Sequence, residues 1–428
     1  MKNRFLLGCV SLLSLVLPSC NNNGPTSYTY DRSYFNGICA LTGEFNNGVD
    51  VGLTNDWTAS KVKAIGAKSF RLWIGLSGLF SVGEEDDLHV NQKYYLTMKD
   101  HIDKLKEAGV KNYLILYSSY VYPTGYVPTT GYVVPNPKEE YEEYIRFLNL
   151  QKEASKQIKI MFPEIRNFEP GNEPDFAVPG CIHKNGFIFN GSKKENEPYA
   201  YNIDDKTSIV MDLCWYVRQG IKEVDPDARV AIPGLTYGVD VNTTDFLDLL
   251  YKKVESRTLP AGQDFSDINP DNYFDIINYH PYAVQTTVTG DIDWDKWLEY
   301  NKSVYQVVKD HNDNGKEVYL SEIGWTDNGT TNEEIKVEIA NNYKIAYNLI
   351  KNELPWITAI FAFRLTNLKT QVESIAEKNF GIFYHPDDEV HKGSPKPAAI
   401  EIAKLYNGEN YDLLEHLQWA KRIDIFLV

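Results

Sequence analysis

Short β-branched or aromatic runs that alternate with helical patterns, and a phrase repeated at two helix-to-strand joints, predict an α/β chain folded as a single (β/α)8 TIM barrel. The repeat is Lys63-Ala64-Ile65-Gly66-Ala67-Lys68 leading into a run over 69–74, and Lys106-Glu107-Ala108-Gly109-Val110-Lys111 leading into a run over 112–117. Gly66 and Gly109 stand where a left-handed residue closes a helix. Strands are predicted over 37–41, 69–74, 112–117, 167–171, 229–233, 274–279, 317–321 and 359–364. Between them fall helices, among them 139–157, 206–224, 294–311 and 332–352, with the last near 397–406. Eight strands close one barrel, and no Pro/Gly/Ser-rich linker marks a second domain.

The first twenty residues stand outside that count. Lys2 and Arg4 precede an apolar run over 5–17, too short for a membrane span. The run closes in Leu17-Pro18-Ser19-Cys20, which resembles a bacterial lipoprotein signal with Cys20 as the lipidated residue. Residues 21–33 then read as a tether and 34–428 as the barrel. Transport across the cytoplasmic membrane and lipid anchoring at a bacterial cell surface are expected, with plain secretion or an uncleaved anchor as alternatives.

The 428 residues are 43% hydrophobic and 24% charged, ordinary for a globular chain with a large core. A net charge of −16 argues against nucleic acid or anionic lipid as partner and suits a neutral substrate, though solubility alone also explains it. Membrane contact is expected only through Cys20, and the protein is expected to be a monomer. Of five cysteines, Cys9 and Cys20 lie in the signal; Cys39, Cys181 and Cys214 form no disulfide framework and no metal spacing. Cys39 and Cys214 read as small buried apolar residues. His89, His101, His183, His311, His385, His391 and His416 show no ligand spacing such as HExxH, so no metal and no cofactor are expected.

Two segments carry the chemistry: Gly171-Asn172-Glu173-Pro174 after the fourth strand and Ser321-Glu322-Ile323-Gly324-Trp325 at the end of the seventh. A parallel barrel delivers the C-terminal ends of both strands to one rim, so these distant glutamates can meet there. Cleavage of a glycosidic bond with retention needs such a pair about 5–5.5 Å apart, one carboxyl protonated and one ionised. With Phe35-Asn36-Gly37 opening the first strand and Gly381-Ile382-Phe383 and Pro395-Lys396-Pro397-Ala398 closing the last unit, the chain resembles glycoside hydrolase clan A, including its families 5, 17 and 39.

The resemblance implies Glu173 as general acid/base and Glu322 as nucleophile. It further implies Asn172 as partner of the sugar 2-hydroxyl and Arg71 as the cation that keeps the nucleophile ionised. In Tyr279-His280-Pro281-Tyr282, the histidine would lie near the acid/base and the tyrosine would donate to the nucleophile. Arg71 equally suits a salt bridge at the barrel rim, and His280 and Tyr282 suit an ordinary capped loop. Trp325, directly after the nucleophile segment, is the expected sugar contact. The eighth strand carries Phe363 where the clan often places a tryptophan beneath the sugar, and the third ends in Tyr117-Ser118-Ser119 where many family 5 members carry a histidine. Loops over 120–134 and 175–202 supply further aromatic residues, Phe176, Phe187, Phe189, Tyr199 and Tyr201 among them, that would stack on sugar or pack the loops against the barrel. The expected activity is retaining hydrolysis of O-glycosyl bonds in a β-linked oligo- or polysaccharide by double displacement. A non-hydrolytic glycan-binding surface lipoprotein and a transglycosylase on the same scaffold are the alternatives.

Overall fold

A computed structural model describes residues 28–40, 53–126, 134–138, 140–175, 203–236, 242–256, 269–282, 292–369 and 375–417. Cys9, Cys20, Cys181, the signal segment, most of the proposed tether and the aromatic residues of 176–202 lie outside them. Eight parallel strands form the centre: β1 Asn36–Ala40, β2 Ser69–Gly75, β3 Asn112–Ser119, β4 Asn167–Glu169, β5 Arg229–Val230, β6 Ile276–Asn278, β7 Glu317–Ile323 and β8 Ile357–Phe363. They are hydrogen-bonded in the order β5-β4-β3-β2-β1-β8-β7-β6. Single parallel bridges, Ala231 with Ile276 and Leu235 with Tyr279, join β5 to β6 and close the ring. Each strand is followed by a helix: α1 Asn55–Ile65, α2 Gln92–Glu107, α3 Tyr141–Met161, α4 Ile203–Lys222, α5 Thr243–Ser256, α6 Trp294–Asp310, α7 Glu333–Glu353 and α8 Pro397–Asn407. The predicted (β/α)8 barrel is the observed fold.

Local chemistry explains the boundaries. Thr54, Asp293 and Asn332 cap α1, α6 and α7 by accepting backbone N–H bonds at 3.1, 3.1 and 2.9 Å. Gly66 and Gly109 take φ of 77° and 97° after α1 and α2, as the repeated phrase predicts. β4 and β5 are shorter than predicted because Pro170 and Pro233 carry no N–H for the ladder. An antiparallel hairpin, Phe80–Val82 with Leu88–Val90, was not predicted. It sits between β2 and α2 and is held by Arg146, whose guanidinium donates to Asp86 at 2.7 and 2.9 Å.

Period-two alternation divides the core. Phe70, Leu72 and Ile74 of β2 pack outward on the helices, whereas Cys39, Leu114, Ala231, Ile276, Tyr319, Ala359 and Phe361 fill the barrel interior. Cys39 and Cys214 are both free and buried, as expected. Among the described residues no helix is long and apolar enough to cross a membrane.

Candidate active site

Arg71 is the hub of the C-terminal rim. It lies on the inward face of β2 with no exposed surface. Its Nε and Nη2 donate to the two carboxylate oxygens of Glu169 at 2.8 Å each. Nη1 donates to Oε1 of Glu322 at 2.5 Å, and Nη2 also donates to Oδ1 of Asn172 at 2.7 Å. Glu169, fully buried on β4, additionally accepts from the Gly234 amide and from Asn278 Nδ2, both at 2.9 Å. Arg71 thus makes the rim salt bridge and faces the predicted nucleophile at once. Burial alone would pull its guanidinium down, but the charges of Glu169 and Glu322 more than offset this and hold it well above its ordinary value.

Beyond Pro170 the chain turns sharply. Gly171 takes φ 145° and Glu173 φ 46°, and the Glu173 amide donates to the Gly234 carbonyl at 2.8 Å. A non-glycine residue with positive φ is costly and persists only where its surroundings fix it. The turn sets the Glu173 carboxyl beside His280, with Oε1 2.8 Å from Nδ1. Nδ1 is also 3.7 Å from Oε2 of Glu322, so one ring nitrogen stands between the two glutamates. On the opposite side of the ring, Nε2 meets Ser321 Oγ at 2.9 Å. Gly234 is required behind it, because a Cβ there would lie 2.4 Å from Nε2.

A bulge in β7 delivers Glu322. The β8 register steps from Ile360 opposite Leu320 to Ala362 opposite Ile323, so β7 spends one extra residue at Ser321–Glu322. Both side chains therefore turn toward the barrel mouth, Ser321 to His280 and Glu322 to Arg71. Burial pushes the Glu322 carboxyl up; His280 and Arg71 oppose the rise and Glu173 adds to it. His280 and Arg71 offset the desolvation without reversing it. His280 is pushed down to about 4 by burial and is neutral near pH 7, leaving Arg71 as the cation that faces Glu322.

Two expectations are corrected. Tyr282 is half-buried near the glutamates, with its ring edge-on to His280 at 6.1 Å, but its buried hydroxyl has no hydrogen-bond partner among the described residues and does not donate to Glu322. Burial, reinforced by the charges of Glu322 and Glu173, holds that phenol well above its ordinary value. Trp325 is only 8% exposed and packs edge-on against Tyr343 at 4.9 Å in the helix-facing core. The same bulge explains this: one extra residue in β7 puts Ile323 and Trp325 on the outer face, where the indole lines a small pocket with Asp327, Lys336, Tyr343 and Phe380. Phe363 caps the barrel interior, 6% exposed and edge-on to Phe380 at 5.4 Å.

Three residues escaped the sequence reading. Glu169 and Trp73 share inward faces with Asn167 and Arg71 at a spacing of two, the signal that could have found them. The Arg71 guanidinium carbon is 6.0 Å from the Trp73 ring centroid, and the ring is half-buried at the rim. Asp175, two residues past Glu173, accepts from the Thr236 amide at 2.9 Å and is pushed well above its ordinary value by burial.

No protein-family model matches the sequence, and no curated protein matches it. Solved structures do. A family 39 glycoside hydrolase from the gut symbiont Bacteroides cellulosilyticus WH2 superposes with a TM-score of 0.54 at 15% identity, over 86% of this chain and 62% of that one. The family 1 β-glucosidase from Thermotoga maritima, in complex with isofagomine lactam, gives 0.56 at 16% identity over 89% and 99%, and its azafagomine complex 0.58 at 16% over the same shares. This chain spans less than two thirds of the family 39 hydrolase. Families 39 and 1 are both barrel families of clan A, the group the motifs resemble, and at these identities the likeness is one of architecture: the chain shares the (β/α)8 barrel fold of those structures.

Proposed function

We propose that the protein is a retaining glycoside hydrolase acting on a β-linked oligo- or polysaccharide. One observation carries the reading: Glu173 and Glu322, from different strands, present carboxylate oxygens within 4.8 Å of each other and of His280 Nδ1. That spacing accords with the about 5–5.5 Å of a double displacement and leaves no room for the water that an inverting pair needs. Protonated Glu173 gives its proton to the departing oxygen while Glu322 attacks the anomeric carbon, forming a glycosyl-enzyme. Glu173, now ionised, takes a proton from the water that releases the sugar. Arg71 holds Glu322 in the attacking orientation, and His280 holds Glu173.

The test is incubation with β-linked polysaccharides and aryl β-glycosides, reading reducing ends and the anomer of the product. Retained-anomer products are expected, and Glu322→Gln abolishes them. Glu173→Gln loses about 10²- to 10⁴-fold on substrates with poor leaving groups and far less on activated aryl glycosides, which need no protonation. Wild-type turnover in Glu322→Gln would remove the assignment. The location belongs to the same proposal: Lys2, Arg4 and the apolar run ending at Cys20 support export and lipid anchoring. Fatty-acid labelling of the expressed protein is expected, and Cys20→Ala abolishes it.

A further inference from the structure

Nδ1 of His280, Oε1 of Glu173 and a carboxylate oxygen of Glu322 all lie within 4.8 Å of one another, with Nδ1 at 2.8 Å from Glu173 and 3.7 Å from Oε2 of Glu322. Donors bound to one zinc ion at about 2.0–2.2 Å stand roughly 3.3 Å apart, so small side-chain rotations bring these three onto a common ion. One imidazole and two carboxylates with a fourth position open is the donor set of a His/Glu zinc site. Calcium and magnesium ask for all-oxygen shells and have no claim on Nδ1.

The surroundings are built for it. The imidazole is fully buried and fixed from behind: Ser321 Oγ meets Nε2 at 2.9 Å, and Gly234 leaves just the space the ring takes. Such an outer partner on the second ring nitrogen is what orients a ligating histidine. Arg71 occupies Oε1 of Glu322 and leaves Oε2 facing His280. The pocket holds three carboxyl groups, Glu169 and Glu322 on Arg71 and Glu173 on His280, against a single guanidinium. A second observation points the same way. The Tyr282 hydroxyl is buried beside this cluster, feels the charges of Glu322 and Glu173, and has no hydrogen-bond partner among the described residues; a water on the open coordination position would supply one.

We propose that Glu173, His280 and Glu322 form a binding site for Zn2+, and that the ion and a sugar exclude one another there. On binding, the ion takes the place of the proton between His280 Nδ1 and Glu173 Oε1, and that proton passes to solvent. The zinc-bound protein is therefore the closed, inactive form of the same site.

Calorimetric titration of the purified protein with ZnCl2 tests this whether or not a hydrolysable substrate is known. The expected result is one site per chain, a raised melting temperature, and no comparable binding of Mg2+ or Ca2+. Glu322→Gln and His280→Ala are expected to lose the site, and Ser321→Ala to weaken it about 10- to 100-fold. Circular dichroism confirms that each variant is folded; should His280→Ala fail to fold, Glu322→Gln and Ser321→Ala carry the test. His311, which contacts Glu255 at 2.6 Å and Asp248 at 3.0 Å on the surface, provides the control: His311→Ala should leave the titration unchanged. Absence of Zn2+ binding, or binding removed by His311→Ala and kept in Glu322→Gln and Ser321→Ala, overturns the proposal.

Discussion

Arg71 shows how much a single buried charge can organise. Its guanidinium is satisfied by two oxygens of Glu169, one of Glu322 and the Asn172 amide oxygen, so each partner is fixed relative to the others. Removing one member leaves a buried charge short of its partner, which costs about 3–5 kcal/mol. Glu169→Ala is therefore expected to lower the melting temperature markedly and to lower kcat, although Glu169 touches Arg71 and not the glutamate pair; an unchanged melting curve would contradict this. Glu173 and Glu322 were legible in the sequence because each closes a strand-like run beside Pro174 or Gly324. Glu169 was not, because a charged residue inside a short strand reads as an exposed position until the barrel closes around it. The Tyr282 hydroxyl was illegible for another reason: the sequence places the residue, and only packing decides where the oxygen points.

Among the elements, β7 has the largest effect on the site. Its bulge reverses the alternation between Leu320 and Ile323, turning two consecutive side chains inward and sending Trp325 out to the helices. Proximity to Glu322 in sequence points to Trp325 as a sugar contact, and proximity alone does not register the extra residue that turns the indole outward. Helices and the strands β1, β2, β3 and β8 follow the predicted ranges closely, since their signals are long and local. The hairpin after β2 was missed because three-residue strands leave almost no period to read. The β5 to β6 segment supplies a second element-scale test. A methyl at Gly234 would lie 2.4 Å from His280 Nε2 and 2.9 Å from Ser321 Oγ, so Gly234→Ala must displace the imidazole. The expected outcome is a large fall in kcat with a shifted pH profile, measured on the substrate that the panel identifies. Retention of both would show that the ring does not orient Glu173.

At the scale of the whole molecule, acid should weaken the fold through buried histidine. His101, enclosed on α2 and edge-on to Phe70 at 5.7 Å, is pushed from 6.5 down to about 4 by burial. Between those values the unfolded chain binds a proton that the folded chain refuses, so stability falls as pH drops from about 6.5 to about 4 and levels off below. The contribution is on the order of 3 kcal/mol. Melting temperatures across that window should decline, and the slope should be shallower in His101→Leu; equal slopes would remove His101 as the cause.

The ring itself is unevenly sewn. Seven of its joints pair two or more consecutive residues, whereas β5 meets β6 through the single bridges at Ala231 and Leu235. That seam runs directly beneath Gly234 and His280, with Glu173 on one side and Glu322 beyond the other. Amide deuterium should enter here before it enters the other staves, because a joint with few bonds opens with less work. A sugar or an ion gripped between Glu173 and Glu322 would act as a clasp on that seam, and the slowing of exchange at Ile232, Leu235 and His280, whose amides cross it, would record how tightly it holds.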